Sequence, residues 1–441
     1  MKYFLLVLLV CKLYAPTESF GSLSGSVPIL KNLGKSAIGA VKSVTANISE
    51  VIPSVKDIAA NDSMTNDDKR DAMSTLQNIG ASAVNVIKGV AQKIPDVIPS
   101  AEDLFQYGKN IIIGYPFEVV YSTINSFCSA ALSTESVKPR STPNITNMYY
   151  VLKVGDRNIT VPLNKPQQLW LKKEFNIRFP LVLLITGWTT NVNESNSALD
   201  AIYSAYRCRG NVNFVAVDTA GFVDTLYTWS AFNTEEIGKV ISESLEYLVR
   251  TYPVQKIHLI GHSLGAHIAG SAGRNFYYKT GKLIPRITAL DAANPCFNSG
   301  ENLTGIQRGD AEFVVAIHSN NGGLGKKDPY GDADFYPNGV QPLPPGCYSM
   351  SCAHQRAPEY YAESVYPGNE NNFMAVKCGS LSSLISNFCP GNPVPMGYAT
   401  PQNLKGNYFL KTNEVSPYGM NATKDARPKC FNRSFSIAFL D

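Results

Sequence analysis

Charge is scarce in this chain. Asp, Glu, Lys and Arg make up only 17% of its 441 residues, and the formal net charge is +4. That balance supplies no basic surface for nucleic acid, and the 44% apolar content excludes a charge-rich disordered chain. Histidine is also rare, at five residues. Past the first few residues, no apolar run reaches the roughly 20 residues needed to cross a bilayer. No two of the nine cysteines stand as Cys-X-X-Cys, the spacing that would suggest zinc. No metal or other cofactor is expected.

The cysteines that are present point to an oxidising compartment. Lys2 precedes the short apolar run Tyr3–Cys11, and the polar segment Thr17-Glu18-Ser19 follows. This pattern predicts a signal peptide over residues 1–19, cut around residues 15–21, and hence an extracellular, secreted protein. Loss of Cys11 would leave an even number of cysteines, as a set of disulfides requires. Asn-X-Ser/Thr acceptors at Asn47, Asn61, Asn144, Asn158, Asn193, Asn302, Asn421 and Asn432 fit the same compartment.

Residues 20–140 form a separate compositional block with few aromatics and an internal repeat. Leu30–Ile58 aligns with Leu76–Leu104 without a gap, and both copies end in Val-Ile-Pro-Ser. Leu30, Leu33, Ala37, Val41, Val44 and Ile48 fall at helical spacing, as do Leu76, Ile79, Ala83, Ile87, Val90 and Ile94. Two copies are too few for a solenoid. They predict a helical extension that packs on itself or on the main domain, with an amphipathic lipid-contacting element and a removable pro-segment as the other readings. Residues 133–147 read as a linker.

The main domain is expected over 141–441. Met148–Val154 and Asn158–Pro162 predict a hairpin around Gly155-Asp156. Leu181–Ile185 is a continuous apolar run, as a strand buried on both faces requires. Asn213–Val217, Ile257–Ile260, Arg286–Leu290 and Phe313–Ile317 repeat that signal. Between them, Glu235–Arg250 carries Ile237, Val240, Ile241, Leu245 and Leu248 on one helical face. Alternating strands and helices predict a mostly parallel, doubly wound α/β sheet.

The chemistry centres on Ile257–Gly270. An apolar strand runs into Gly261-His262-Ser263-Leu264-Gly265 and then into small and apolar residues at helical spacing. The Gly-X-Ser-X-Gly pattern alone arises by chance in roughly 0.2 of chains this long, so its context decides. A strand–turn–helix corner with Gly261 and Gly265 beside the serine would expose Ser263 Oγ as a nucleophile. The backbone N–H of Leu264 would face the same point as an oxyanion donor.

Such a serine needs a base and an acid. Asp291 directly follows the strand Arg286–Leu290, at the carboxyl end where these sheets place their sites. Asp218 also follows a strand but precedes the serine. Of the histidines, His258, His262 and His267 belong to the elbow: His258 reads as packed, His262 as turned away from the Ser263 side, and His267 as off line. His318 ends a strand. His354 lies in the polar stretch Ser351-Cys352-Ala353-His354-Gln355-Arg356, read as a loop before a helix. The order Ser263, Asp291, His354 is that of sheet hydrolases. A second oxyanion donor should follow an earlier strand; Leu181–Ile185 ends in Thr186-Gly187-Trp188, which offers the Trp188 N–H.

With these residues in place, the chain resembles the animal lipase family typified by pancreatic lipase. It is most similar to the insect branch of secreted lipases, phospholipases A1 and lipase-like yolk proteins. The resemblance runs from Met148 to the C-terminus and rests on Ile257–Gly270, Ile287–Phe297, Ile317–Gly325, Gly331–Gly339 and Cys352–Ser364. It implies an α/β-hydrolase fold and lipid-ester hydrolysis by Ser263, Asp291 and His354, with Trp188 and Leu264 at the oxyanion. It implies that Cys347–Cys352 brackets a lid loop and that Cys378 pairs with Cys389. Similarity to the insect phospholipases implies Cys128–Cys208, which leaves Cys296 for Cys430. Two motifs depart from the family: Thr186-Gly187 replaces His-Gly, and Ala292 replaces the proline after the acid. The four-residue bracket resembles that of phospholipases A1 and galactolipases. No colipase-like partner is implied. The expected partner is a phospholipid or acylglycerol surface, membrane or lipid droplet. A catalytically silent storage or lipid-binding protein is the alternative.

Overall fold

The computed structural model describes residues 148–187, 197–219, 231, 233–297, 303–380, 383, 389–423 and 430. The expected signal peptide, helical repeat, Cys128 and Trp188 lie outside these. The described residues belong to the second of two units, Pro139–Asp441.

In chain order the elements are β1 (Tyr149–Val154), β2 (Arg157–Pro162), β3 (Leu181–Ile185), α1 (Ser197–Arg209), β4 (Asn213–Asp218), α2 (Thr234–Leu248), β5 (Ile257–His262), α3 (Leu264–Thr280), β6 (Arg286–Leu290), β7 (Phe313–Ile317), β8 (Ala333–Pro337), α4 (Met350–Val365), β9 (Met374–Cys378), β10 (Pro393–Pro395) and β11 (Gly406–Leu410). Among the described residues the strands form one sheet in the order β10-β9-β11-β8-β7-β6-β5-β3-β4-β1-β2. The seven strands from β11 to β4 run parallel, and antiparallel strands close both ends.

The apolar runs explain this layering. Leu181, Leu183 and Ile185 of β3 face one core with Ile257 and Leu259 of β5, covered by Ile237, Ile241 and Leu245 of α2 and Ile268, Ala272 and Phe276 of α3. Val182, Leu184 and Ile260 face the other core, covered by Leu199, Ile202 and Tyr206 of α1 and Ala357, Tyr361 and Val365 of α4. A strand covered on both faces must be apolar at every position, which removes the period-2 alternation. The hairpin over β1 and β2 and the helix over Thr234–Leu248 lie where their patterns predict.

The central register brings the site residues together. His262 of β5 pairs with Leu290 of β6. Ser263 and Asp291 therefore leave the sheet side by side. The helix after Ser263 packs so closely that a Cβ on Gly265 would lie 2.1 Å from the Ile185 carbonyl oxygen, so only glycine fits there.

Cystine pairing differs from expectation at two of four bonds. Cys347–Cys352 and Cys378–Cys389 are present. Cys208, at the end of α1, pairs with Cys430 rather than Cys128, with a Cα separation of 4.9 Å. Cys430 is thereby spent, so the expected Cys296–Cys430 bond is also replaced. Cys296 is itself disulfide-bonded. The physical reason is the sheet. Cys208 lies on the helix covering the α1/α4 face, whereas Cys296 follows β6 beside Phe297, which stacks on His267 of α3. Peptide mapping without reduction should return a Cys208–Cys430 cross-link. Replacing both cysteines by serine should lower stability in urea by about 2–5 kcal/mol.

Candidate active site

Ser263 has φ 57° and ψ −126° as the residue capping α3. An L-residue pays about 1–3 kcal/mol to sit there, and the surrounding backbone holds it. Its N–H donates to Leu290 O at 3.1 Å, and its carbonyl accepts from Ala266 N at 3.1 Å and Ala293 N at 3.2 Å. The side chain overlies the end of β3: a Cβ on Gly187 would fall 2.4 Å from Ser263 Cβ. Leu264 opens α3, where a helix leaves its first N–H groups without intrahelical acceptors.

Asp291 is wholly buried and also has a positive φ, 45°. Its N–H donates to Ile317 O at 2.8 Å. Oδ1 accepts from the backbone N–H groups of Ser319 at 2.7 Å and Asn320 at 2.9 Å. Oδ2 accepts from His354 Nδ1 at 2.6 Å. Three donors thus replace water around a carboxylate removed from solvent, the condition for keeping a charge inside. Asn320 is held in turn through Nδ2 to Pro342 O at 2.5 Å and through Oδ1 from Leu324 N at 2.5 Å.

His354 is on a helix, not the loop expected. α4 begins at Met350, inside the Cys347–Cys352 bracket, with Ser349 capping it by accepting from Cys352 N at 3.2 Å. The bracket is therefore half helix and presents Tyr348 as a tip that is 94% exposed. Stapling the first turn fixes where α4 starts, and hence where His354 meets Asp291.

Two further groups at the site escaped sequence reasoning. The Ser319-Asn320 amides supply donors to Asp291; their signal was the strand end after β7, next to β6 in the sheet. His262 turns toward α4 and lies against His354, with ring centroids 4.6 Å apart. Its signal was its place directly before Ser263. The other histidines are structural. His267 stacks on Phe297, faces Ala293 O through Nε2 at 2.8 Å and accepts from Ile306 N at 3.0 Å. His318 faces Lys326 O and Asp334 Oδ1, and His258 faces Thr288 Oγ1. Asp310 pairs with Arg274 of α3 at 2.6 Å.

The sequence model of one family, described as Lipase, matches residues 129–418. The chain belongs to the lipase family. The fold of this lipase-family chain is accordingly the α/β-hydrolase fold, with its sheet order and elbow as described above. It is 38% identical over 212 residues to Vitellogenin-1 of Ceratitis capitata, covering 48% of each chain. It is 35% identical over 235 residues to pancreatic triacylglycerol lipase of Ictidomys tridecemlineatus, covering 46% of this chain and 48% of the other. Human hepatic triacylglycerol lipase is 30% identical over 302 residues, covering 60% and 57%. The chain thus spans about half the length of the curated relatives it matches.

Burial sets an acid sensitivity. It pushes His267 down to about 3, and His258 and His262 well below the ordinary imidazole value of 6.5. The unfolded chain therefore binds more protons than the native one below about pH 6.5, and stability falls on acidification. Asp310, raised by burial to about 6, and Glu363, also raised by burial, act in the opposite direction. Their native forms bind protons first, which offsets part of the loss. Urea unfolding of His267→Gln should lose about 2 kcal/mol less than the parent between pH 7 and pH 5.

Proposed function

We propose that this chain is a secreted serine carboxylic-ester hydrolase acting on lipids. The observation that carries the reading is the strained Ser263 corner standing beside the hydrogen-bonded Asp291–His354 pair. With Nδ1 engaged by Asp291, His354 keeps its proton there and leaves Nε2 free to act as a base. In this reading Ser263 Oγ attacks the acyl carbonyl carbon and passes its proton to His354 Nε2. The Leu264 and Trp188 amides hold the tetrahedral oxyanion. His354 then protonates the departing alkoxide, and water, deprotonated by the same imidazole, cleaves the acyl-enzyme. Asp291 holds the imidazole in one tautomer and stabilises its charged form.

The substrate is a glycerophospholipid or an acylglycerol. The short Cys347–Cys352 bracket favours the former, because a four-residue segment that is half helix has no length to cover an acyl groove. A second reading, a silent storage or lipid-binding protein, is favoured by the 38% identity to a vitellogenin. The intact Ser263, Asp291 and His354 weigh against it.

Hydrolysis of triolein emulsion, phosphatidylcholine vesicles and a p-nitrophenyl ester by the secreted protein tests the choice. Fatty-acid release by the parent is expected, with Asp291→Asn lowering kcat by about 10,000-fold and Ser263→Ala by about a million-fold. No release on any substrate would move the storage reading to first place.

A further inference from the structure

We propose that His262 is a positioning residue for His354, holding the backbone of the catalytic base where Pro358 has opened the helix. The inference rests on the roles given above to Ser263 and His354. In an α-helix the carbonyl of residue 354 accepts from the N–H of residue 358. Here residue 358 is a proline inside α4, which has no N–H and whose ring crowds the carbonyl four residues earlier. The His354 carbonyl is thus released from the helix. It lies 3.3 Å from His262 Nε2. A carbonyl can only accept, so His262 carries its proton on Nε2 and donates.

The neighbouring N–H also makes a bond outside the helix. The N–H of Ala357 donates to Ser319 Oγ at 3.2 Å, and the N–H of Ser319 donates to Asp291 Oδ1 at 2.7 Å. This turn therefore ties α4 to β5 through His262 and to Asp291 through Ser319. A further contact fixes α4 along β5: His258 faces Tyr361 at 6.5 Å between ring centroids, while His262 faces His354 at 4.6 Å. His262 is 2% exposed, and burial keeps it neutral. It can therefore support the base without placing a second cation beside the imidazolium formed in catalysis.

His262→Phe keeps the ring contact and removes the donor. His262→Gln returns an N–H at the reach of Nε2. Pro358→Ala restores an N–H that can take the His354 carbonyl. With unchanged thermal midpoints, His262→Phe should lower kcat and the rate of fluorophosphonate labelling by roughly 10- to 100-fold with little change in KM. His262→Gln should recover most of the loss, and His262→Phe should cost much less in a Pro358→Ala background. An activity-independent readout is the low-field proton resonance of His354 Nδ1–H. It should broaden through exchange with water in His262→Phe and sharpen again in His262→Gln. Equal behaviour of Phe and Gln variants, or full additivity with Pro358→Ala, would overturn the proposal. If the parent protein neither hydrolyses nor labels, the hydrolase reading fails, and the resonance alone decides the role of His262.

Discussion

The arrangement depends on a carboxylate that water cannot reach. Asp291 is wholly buried, and its solvation is rebuilt from the Ser319 and Asn320 amides and the His354 ring. Each donor comes from a different consequence of the fold. The amides follow β7, which neighbours β6 only through the parallel register. The imidazole comes from a helix that crosses the same face. Losing any one of them would leave a buried charge short of a partner, which costs far more than an exposed hydrogen bond contributes. Asp291 is thus the point on which three elements converge.

Strain is concentrated around it. Ser263, Asp291 and Cys296 are all non-glycine residues with positive φ, at 57°, 45° and 71°. Each adopts a backbone conformation that an L-residue resists. The Ser263 carbonyl answers Ala266 and Ala293, and the amides of Ser263 and Asp291 donate to Leu290 and Ile317. The sheet therefore holds the two corners rigidly enough to keep both side chains above its edge. Small residues are part of the same constraint, because a side chain on Gly187 would overlap the Ser263 corner and one on Gly265 the backbone of Ile185 and Thr186.

The helix bearing His354 is anchored by contacts outside itself. Its start is stapled by Cys347–Cys352 and capped by Ser349, and it carries Pro358 in its interior. Pro358 has no N–H for the His354 carbonyl, which faces His262 Nε2, and the Ala357 N–H donates to Ser319 Oγ. A residue that would weaken an isolated helix thus stands where the helix docks. These contacts join His262, His354, Ser319 and Asp291 into one hydrogen-bonded network.

Much of this was legible before any coordinates. Uninterrupted apolar runs such as Leu181–Ile185 encode burial on both faces, and the Ile257–Gly270 stretch encodes a strand, a tight corner and a helix, because both signals are local. Ser263 and Asp291 each follow a strand end that the same runs mark. What only tertiary structure decided is non-local. The partner of Cys208 depends on which face α1 covers, and a sulfur's position in sequence carries no record of that. His354 reads as loop because its helix starts inside a disulfide bracket and contains a proline, both of which argue against helix locally and are overridden by packing against β5. The roles of His262, Ser319 and Asn320 arise from strand register and helix docking, which bring together residues up to 92 positions apart. Local patterning thus determined the elements and the reactive residue types, while packing decided which of their polar groups meet.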